Sequence, residues 1–173
     1  MKHLFFLLLF AQCIWAQPDA VFDFSKSLRI DFNLLTDAYQ TEVLFQQLKK
    51  EPHWGGAQTN LIAPNLGNLR LQVFDGDKLV FSKGFNSLSN EWATIEESKG
   101  EKRLFYHAIQ IPFPKKELTL HIDRRNNEMV FVNIAKRKID PADYFIKEEK
   151  QVAYPFKKLL YNGDAAKKVD IAI

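Results

Sequence analysis

The predicted mature chain contains three histidines that could do chemistry. They are His53, His107 and His121, and a histidine side chain can bind a metal or move a proton near neutral pH. A hydrolytic zinc site would place two histidines one helical turn apart with a glutamate between them. None of the three has this spacing. His107 and His121 are therefore interpreted as strand residues with locally satisfied or half-exposed rings, although a sheet could bring them together.

An acidic cluster around a tryptophan is the second candidate. Glu91, Glu96 and Glu97 could supply the paired carboxylates of a glycoside hydrolase. The favoured interpretation is a solvated acidic face on a short helix, with Trp92 packed beneath it. Trp54, in the segment HWGG, is either an aromatic platform for a sugar or a buried anchor for its loop. Both tryptophans are candidate interface or ligand contacts.

Several other reaction classes have no support in the sequence. The single cysteine, Cys13, falls in the N-terminal leader, so the predicted mature chain has no thiol nucleophile. No Gly-x-Ser-x-Gly elbow, glycine-rich phosphate loop or dinucleotide fingerprint is present. The formal net charge is only +3, so neither a nucleic acid nor an anionic membrane surface is expected as a partner.

The N-terminus predicts export. Residues 1–16 begin with the basic Lys2, continue with an apolar run and end on the small residue Ala16, which is the pattern of a secretory signal peptide. The run is shorter than the roughly 20 apolar residues that span a bilayer, so no stable membrane anchor is expected. The alternative is a lipoprotein modified at Cys13, and Gln12 argues against it because a small residue is preferred there. The mature protein is expected to be periplasmic, on the cell surface or secreted.

The elements that would position the candidate residues are short strands. Apolar and polar side chains alternate in LRIDF at residues 28–32, which predicts a half-exposed strand. A second strand is predicted from Arg103 up to Pro112. The stretch at residues 40–50 fits either a strand or two helical turns and is assigned to a strand.

Two hairpins and one helix complete the prediction. The first hairpin covers residues 68–85 and turns at Asp75-Gly76, which is expected to supply positive φ angles. The second covers residues 117–139 and turns at Asn126-Asn127. Residues 87–100 suggest a short helix or ordered loop, with Ser89 as the N-cap and Gly100 at the end.

The pattern predicts an all-β protein, namely an antiparallel β-sandwich of about six to eight short strands with one short helix. A chain of 173 residues can bury one core, and this domain is assigned to residues 17–160. The C-terminal residues 161–173 are assigned to a linker and to a strand in which Val169, Ile171 and Ile173 alternate with polar or small residues.

Several segments together carry a family resemblance. They are LRIDF at 28–32, HWGG at 53–56, FNSLSNEWATIEE at 85–97, IPFPKKELTLHI at 111–122, DPADYFI at 140–146 and YNGDAAKKVDIAI at 161–173. As a set they resemble the N-terminal domain of the M64 family of bacterial secreted zinc metallopeptidases, often labelled IgA peptidase M64. The resemblance extends over nearly all of the predicted mature chain.

The resemblance implies a non-catalytic accessory domain whose partner is a catalytic metallopeptidase domain in cis. Zinc is then expected only in that missing catalytic domain, and this chain is expected to bind no cofactor and to have no enzymatic activity of its own. Residues 161–173 would begin the missing domain, and Val169, Ile171 and Ile173 would be interface candidates. The alternative is a stand-alone exported module that binds a glycan or an extracellular protein.

Overall fold

Two four-stranded β-sheets face each other in the computed structural model, which describes residues 18–155 together with Lys157 and Gly163. The strands are β1 (Phe22–Thr36), β2 (Thr41–Glu51), β3 (Leu69–Asp75), β4 (Lys78–Phe85), β5 (Arg103–Pro114), β6 (Leu118–Arg125), β7 (Phe131–Ile139) and β8 (Lys147–Glu148). The helical elements are single turns: α1 (Pro18–Val21), α2 (Ser89–Trp92) and a 3-10 helix (Glu96–Lys99). The predicted signal peptide and the predicted C-terminal strand lie outside the described residues.

The strand order is β5-β1-β2-β8 in the first sheet and β4-β3-β6-β7 in the second. Every neighbouring pair is antiparallel except β2 and β8, which pair in parallel over two residues. The predicted all-β sandwich is therefore confirmed. Among the described residues, no helix is long and apolar enough to span a bilayer.

Strand β1 is the centre of the hydrophobic core. Its inward side chains Leu28, Ile30, Phe32 and Leu34 are completely buried, because alternate residues of a strand point to the same face. They pack in one cluster with inward side chains of the second sheet, among them Leu69, Leu71, Val73, Leu120 and Ile122. Burying a side chain of this size contributes about 1.5–3 kcal/mol. The core therefore lies between the sheets along the length of β1.

Most strand predictions are confirmed, with longer strands than the sequence indicated. The segment at residues 28–32 is the middle of β1, and residues 40–50 form β2 rather than helical turns. Both hairpins are confirmed, although the loop of the second covers residues 126–130 and not Asn126-Asn127 alone. Strand β5 continues beyond Pro112 to Pro114, and β5 is an edge strand, the position in a sheet where proline is tolerated. The two-residue strand β8 had no signal in the sequence.

Two local details of the prediction were wrong. In the first hairpin Asp75 pairs with Lys78, so the loop is Gly76-Asp77, and only Gly76 has a positive φ (58°). Glycine adopts a positive φ without a steric penalty, so Gly76 alone can supply the positive φ of this turn. Ser89 is the first residue of α2 and not its cap, because Leu88 occupies the N-cap position without a side-chain hydrogen bond. The hydroxyl of Ser87 instead accepts a hydrogen bond from the backbone N–H of Ser89 at 3.1 Å.

The long loop between β2 and β3 is confirmed and packs closely on β4. A Cβ atom on Gly84 would lie 1.9 Å from the carbonyl oxygen of Leu66. Gly67 has a φ of 80° and faces the carbonyl of Phe85. Arg125 secures the same loop by donating from Nε to the carbonyl oxygen of Gly67 at 3.0 Å. The loop is thus fixed against the second sheet by close backbone contact, in addition to the packing of Trp54 and Leu61 against the core.

We expect Gly84→Ala to lower the free energy of unfolding by about 1–3 kcal/mol, because the added methyl group forces the loop backbone away from β4. Gly55→Ala is the matched control, since a Cβ atom there meets nothing within 4 Å. Its effect should stay within about 0.5 kcal/mol. Urea unfolding of the two variants measures the difference, and equal stabilities would contradict the close contact.

Candidate binding surface on the first sheet

The two strand histidines do not meet. His107 of β5 points into the sandwich, where its ring lies 5.3 Å from that of Phe32 and its Nε2 lies 2.9 Å from the hydroxyl oxygen of Ser87. Burial lowers the pKa of His107, which favours the neutral ring. His121 lies on the outer face of the second sheet, with its ring 4.6 Å from that of Phe74. Among the described residues, no three His, Cys, Asp or Glu side chains form a group that could hold a metal ion.

The acidic cluster does not form a pair of carboxylates around a cleft. Glu91, Glu96 and Glu97 are all exposed, and Glu96 is paired with Lys99 at 2.7 Å. Trp92 lies beneath them and is only 5% exposed. Its Nε1 donates to the carbonyl oxygen of Thr36 at 2.9 Å. This placement agrees with a solvated acidic face, and the role of Trp92 as an interface contact stays a prediction.

Trp54 is half-buried and closes its own loop. Its ring packs edge-on against Phe81 with 6.4 Å between ring centroids, and its Nε1 donates to the carbonyl oxygen of Ala57 at 3.1 Å. Its role as a contact also stays a prediction. The other three candidate contacts, Val169, Ile171 and Ile173, lie outside the described residues.

The outer face of the first sheet carries a charged network that the sequence interpretation missed. Arg29 donates from Nε to Oδ1 of Asp31 at 2.7 Å and from a terminal nitrogen to Oδ2 at 3.1 Å. Its other terminal nitrogen lies 3.3 Å from Oε1 of Glu51. The Tyr106 hydroxyl accepts a further hydrogen bond at 3.3 Å. The bond to Asp31, followed by that to Tyr106, raises the pKa of Arg29. Asp31 is only 5% exposed, so this network is a fixed floor on the sheet.

Among the described residues, two shallow grooves lie on this face, on either side of the network. The first, the Tyr106 groove, has a volume of about 610 Å³ and is lined by residues including Asp31, Asn33, Gln47, Tyr106, Arg137 and Phe145. The second, the Tyr154 groove, has a volume of about 440 Å³ and is lined by residues including Glu51, Pro52, His53, Gln110, Val152 and Tyr154. Arg29 connects the grooves because it contacts Tyr106 on one side and Glu51 on the other.

A segment after β7, the strap (residues 140–155), contributes to both grooves. It begins with turns in which Asp140 and Asp143 accept hydrogen bonds from the backbone two residues ahead. The strap then pairs with β2 through β8, and Glu149 forms a 2.9 Å ion pair with Lys49. Hydrogen bonding to Lys49 is the main cause that lowers the pKa of Glu149. The strap thereby carries the chain from the second sheet onto the edge and outer face of the first.

The strap leaves large apolar side chains in solvent. Phe145 is 82% exposed, Tyr154 is 75% exposed and Val152 is 62% exposed. Tyr106, on strand β5 at the other side of β1, is 58% exposed. One signal in the sequence could have revealed this surface: Arg29 and Asp31 are two apart in β1, so both project from the face opposite the core.

The model of the family described as Peptidase M64 N-terminus matches residues 20–135, which include all of β1 to β6 and the beginning of β7. The chain belongs to this family. The identification made from the sequence segments is therefore confirmed, and the M64 family indicates an exported protein. No curated protein matches the sequence. The matched range ends before the strap, so the M64 N-terminal domain carries the Arg29 network and the following residues add Phe145, Val152 and Tyr154.

The two tryptophans should differ in their contribution to stability. Trp92→Phe leaves the buried carbonyl group of Thr36 without its hydrogen bond, which should cost about 1–3 kcal/mol. Trp54→Phe is the matched control, because its partner Ala57 is exposed and water can replace the bond at a cost below about 1 kcal/mol. Thermal and urea unfolding compare the two variants. An equal or larger loss for Trp54→Phe would contradict the assignment of Trp92 as the buried anchor.

Proposed function

We propose that this chain is the non-catalytic accessory domain of an M64-type zinc metallopeptidase, and that it packs against the peptidase domain through the Tyr154 groove. In this proposal the domain is exported through the signal peptide at residues 1–16. The zinc ligands belong to the peptidase domain, and this chain contributes none. Its role is to hold the peptidase domain in place and to assist its folding.

The observation that supports this proposal is the course of the strap. Family membership makes a peptidase domain that follows in the same chain the natural partner. The last continuously described residues, Gln151 to Pro155, lie at the Tyr154 groove, so the polypeptide that follows starts from this face. A domain tethered at that point has a high effective concentration at the groove, which reduces the entropic cost of docking.

The chemistry of the Tyr154 groove suits a protein partner. Val152 and Tyr154 are exposed apolar anchors, and tyrosine is favoured at interfaces because it combines a large ring with a polar tip. Pro52 and His53 form the opposite wall. The floor is held by Glu51, which receives hydrogen bonds from Arg29 and Gln110. A docked domain would therefore meet a preorganised surface.

A two-domain enzyme tests the proposal. After protease cleavage between residues 156 and 173, the accessory and peptidase fragments should stay associated in gel filtration. The double variant Val152→Ser/Tyr154→Ala should weaken this association at least about tenfold, equivalent to ~1.4 kcal/mol, because both anchors are lost.

Met129→Ala/Val130→Ser is the matched control, since both residues are exposed apolar side chains near the β6–β7 turn of the second sheet. It should leave the association unchanged. Wild-type fragments that separate at micromolar concentration would contradict the proposal. Equal loss in the control variant would contradict the placement of the interface.

A further inference from the structure

We propose that the Tyr106 groove is a binding site for a saccharide. This inference goes beyond the accessory function and does not rest on it, because the groove is formed by residues on the other side of the Arg29 network from the Tyr154 groove. The two grooves share no lining residue.

The strand order determines the shape of the site. Asp31 and Asn33 of the central strand β1 form the floor, while Tyr106 of β5 forms one wall. Gln47 of β2 and Phe145 of the strap form the other wall, beyond which the groove extends over the edge of β2 to Arg137 of β7 in the second sheet. Strands β5 and β2 are each one interstrand spacing from β1, so the walls are roughly 10 Å apart. This width accommodates one sugar ring with hydrogen bonds on both sides.

The polar groups of the groove are unused within the described part of the chain. The side-chain amides of Asn33, Gln46 and Gln47 make no hydrogen bond to another described residue, and Arg137 stacks on the ring of Phe45 without an ion pair or hydrogen bond to a described residue. An amide group both donates and accepts hydrogen bonds, which matches sugar hydroxyl groups. The carboxylate of Asp31 is held by both arms of the Arg29 fork, and its remaining lone pairs can accept from hydroxyl groups.

Exposed rings supply the apolar part of the recognition. Tyr106 and Phe145 lie on opposite walls and are 58% and 82% exposed. The faces of aromatic rings pack against the C–H groups of a sugar ring, as they do against other apolar surfaces. The groove is shallow and open, so it suits a unit within a chain of sugars better than a small ligand that must be enclosed.

Other ligand classes fit the groove less well. An extended peptide that adds to a sheet would pair along the outer edge of β5 or along β2 before Lys49, and not over the floor strand β1, which is paired on both sides. A polyanion such as nucleic acid would meet the carboxylate of Asp31, and the charge of Arg29 is already matched by Asp31 and Glu51. A purely apolar ligand would cover the side-chain amide of Asn33 without giving it a hydrogen-bond partner.

Nitrogen-15 NMR of the purified protein tests the proposal directly. The probes are chitotriose, cellotriose, maltotriose, lacto-N-tetraose and sialyllactose, each titrated to about 10 mM, a range that detects millimolar dissociation constants. We expect at least one probe to shift the side-chain amide signals of Asn33, Gln46 and Gln47. Failure of every probe to shift these signals, or shifts confined to other surfaces, would overturn the proposal.

Variants separate this site from general surface binding. Tyr106→Ala should weaken binding of the positive probe at least fivefold, because it removes one wall of the groove. Tyr39→Ala is the matched control, since Tyr39 is 78% exposed in the β1–β2 turn and lines neither groove. It should leave the affinity unchanged. Loss of affinity in Tyr39→Ala but not in Tyr106→Ala would overturn the assignment. Neither Tyr106 nor Tyr39 lines the Tyr154 groove, and domain docking is tested separately by the association of the two fragments.

Discussion

The central strand of the first sheet must be covered on both of its faces, and the rest of the structure depends on this constraint. Strand β1 is paired on both edges, and its inward side chains Leu28, Ile30, Phe32 and Leu34 are completely buried. Its outward side chains include Arg29 and Asp31, whose charges would be costly at a half-buried position without partners. Mutual pairing, with further hydrogen bonds to Glu51 and Tyr106, satisfies them. One strand thus defines the core on one side and a fixed polar floor on the other.

The two proposed binding roles rest on what surrounds this floor. The strap brings the chain onto the outer face of the first sheet and supplies exposed apolar residues to a groove on each side of the Arg29 network. Apolar side chains that project over a rigid polar base are typical of recognition surfaces, in which the apolar groups contribute affinity and the polar groups contribute orientation. The Tyr154 groove lies where the chain continues, which suits a tethered domain. The Tyr106 groove presents unpaired amides, which suits a hydroxylated ligand.

The fold could be predicted from the sequence because strand alternation and turn chemistry are local signals. The alternation in LRIDF predicted which side chains of β1 point inward. Asp75-Gly76 predicted the first hairpin, although only Gly76 has a positive φ angle. The binding surface could not be predicted in the same way. Tyr106 and Phe145 are 39 positions apart in the sequence. They line the same groove only because β5 lies beside β1 and the strap crosses the edge of β2. The two tryptophans were predicted as ligand or interface contacts because they are large and aromatic. In the structure, Trp92 and Trp54 each donate a hydrogen bond that holds a neighbouring segment in place.

The central claim is that the outer face of the first sheet is the binding face. Hydrogen–deuterium exchange tests this claim by comparing the two-domain enzyme with this chain alone. If the peptidase domain covers the Tyr154 groove, the backbone amides of residues 150–154 and 53–55 should exchange more slowly in the two-domain enzyme. The amides near the β6–β7 turn of the second sheet should exchange at the same rate in both proteins. Unchanged exchange along the strap, or protection confined to the second sheet, would contradict the account.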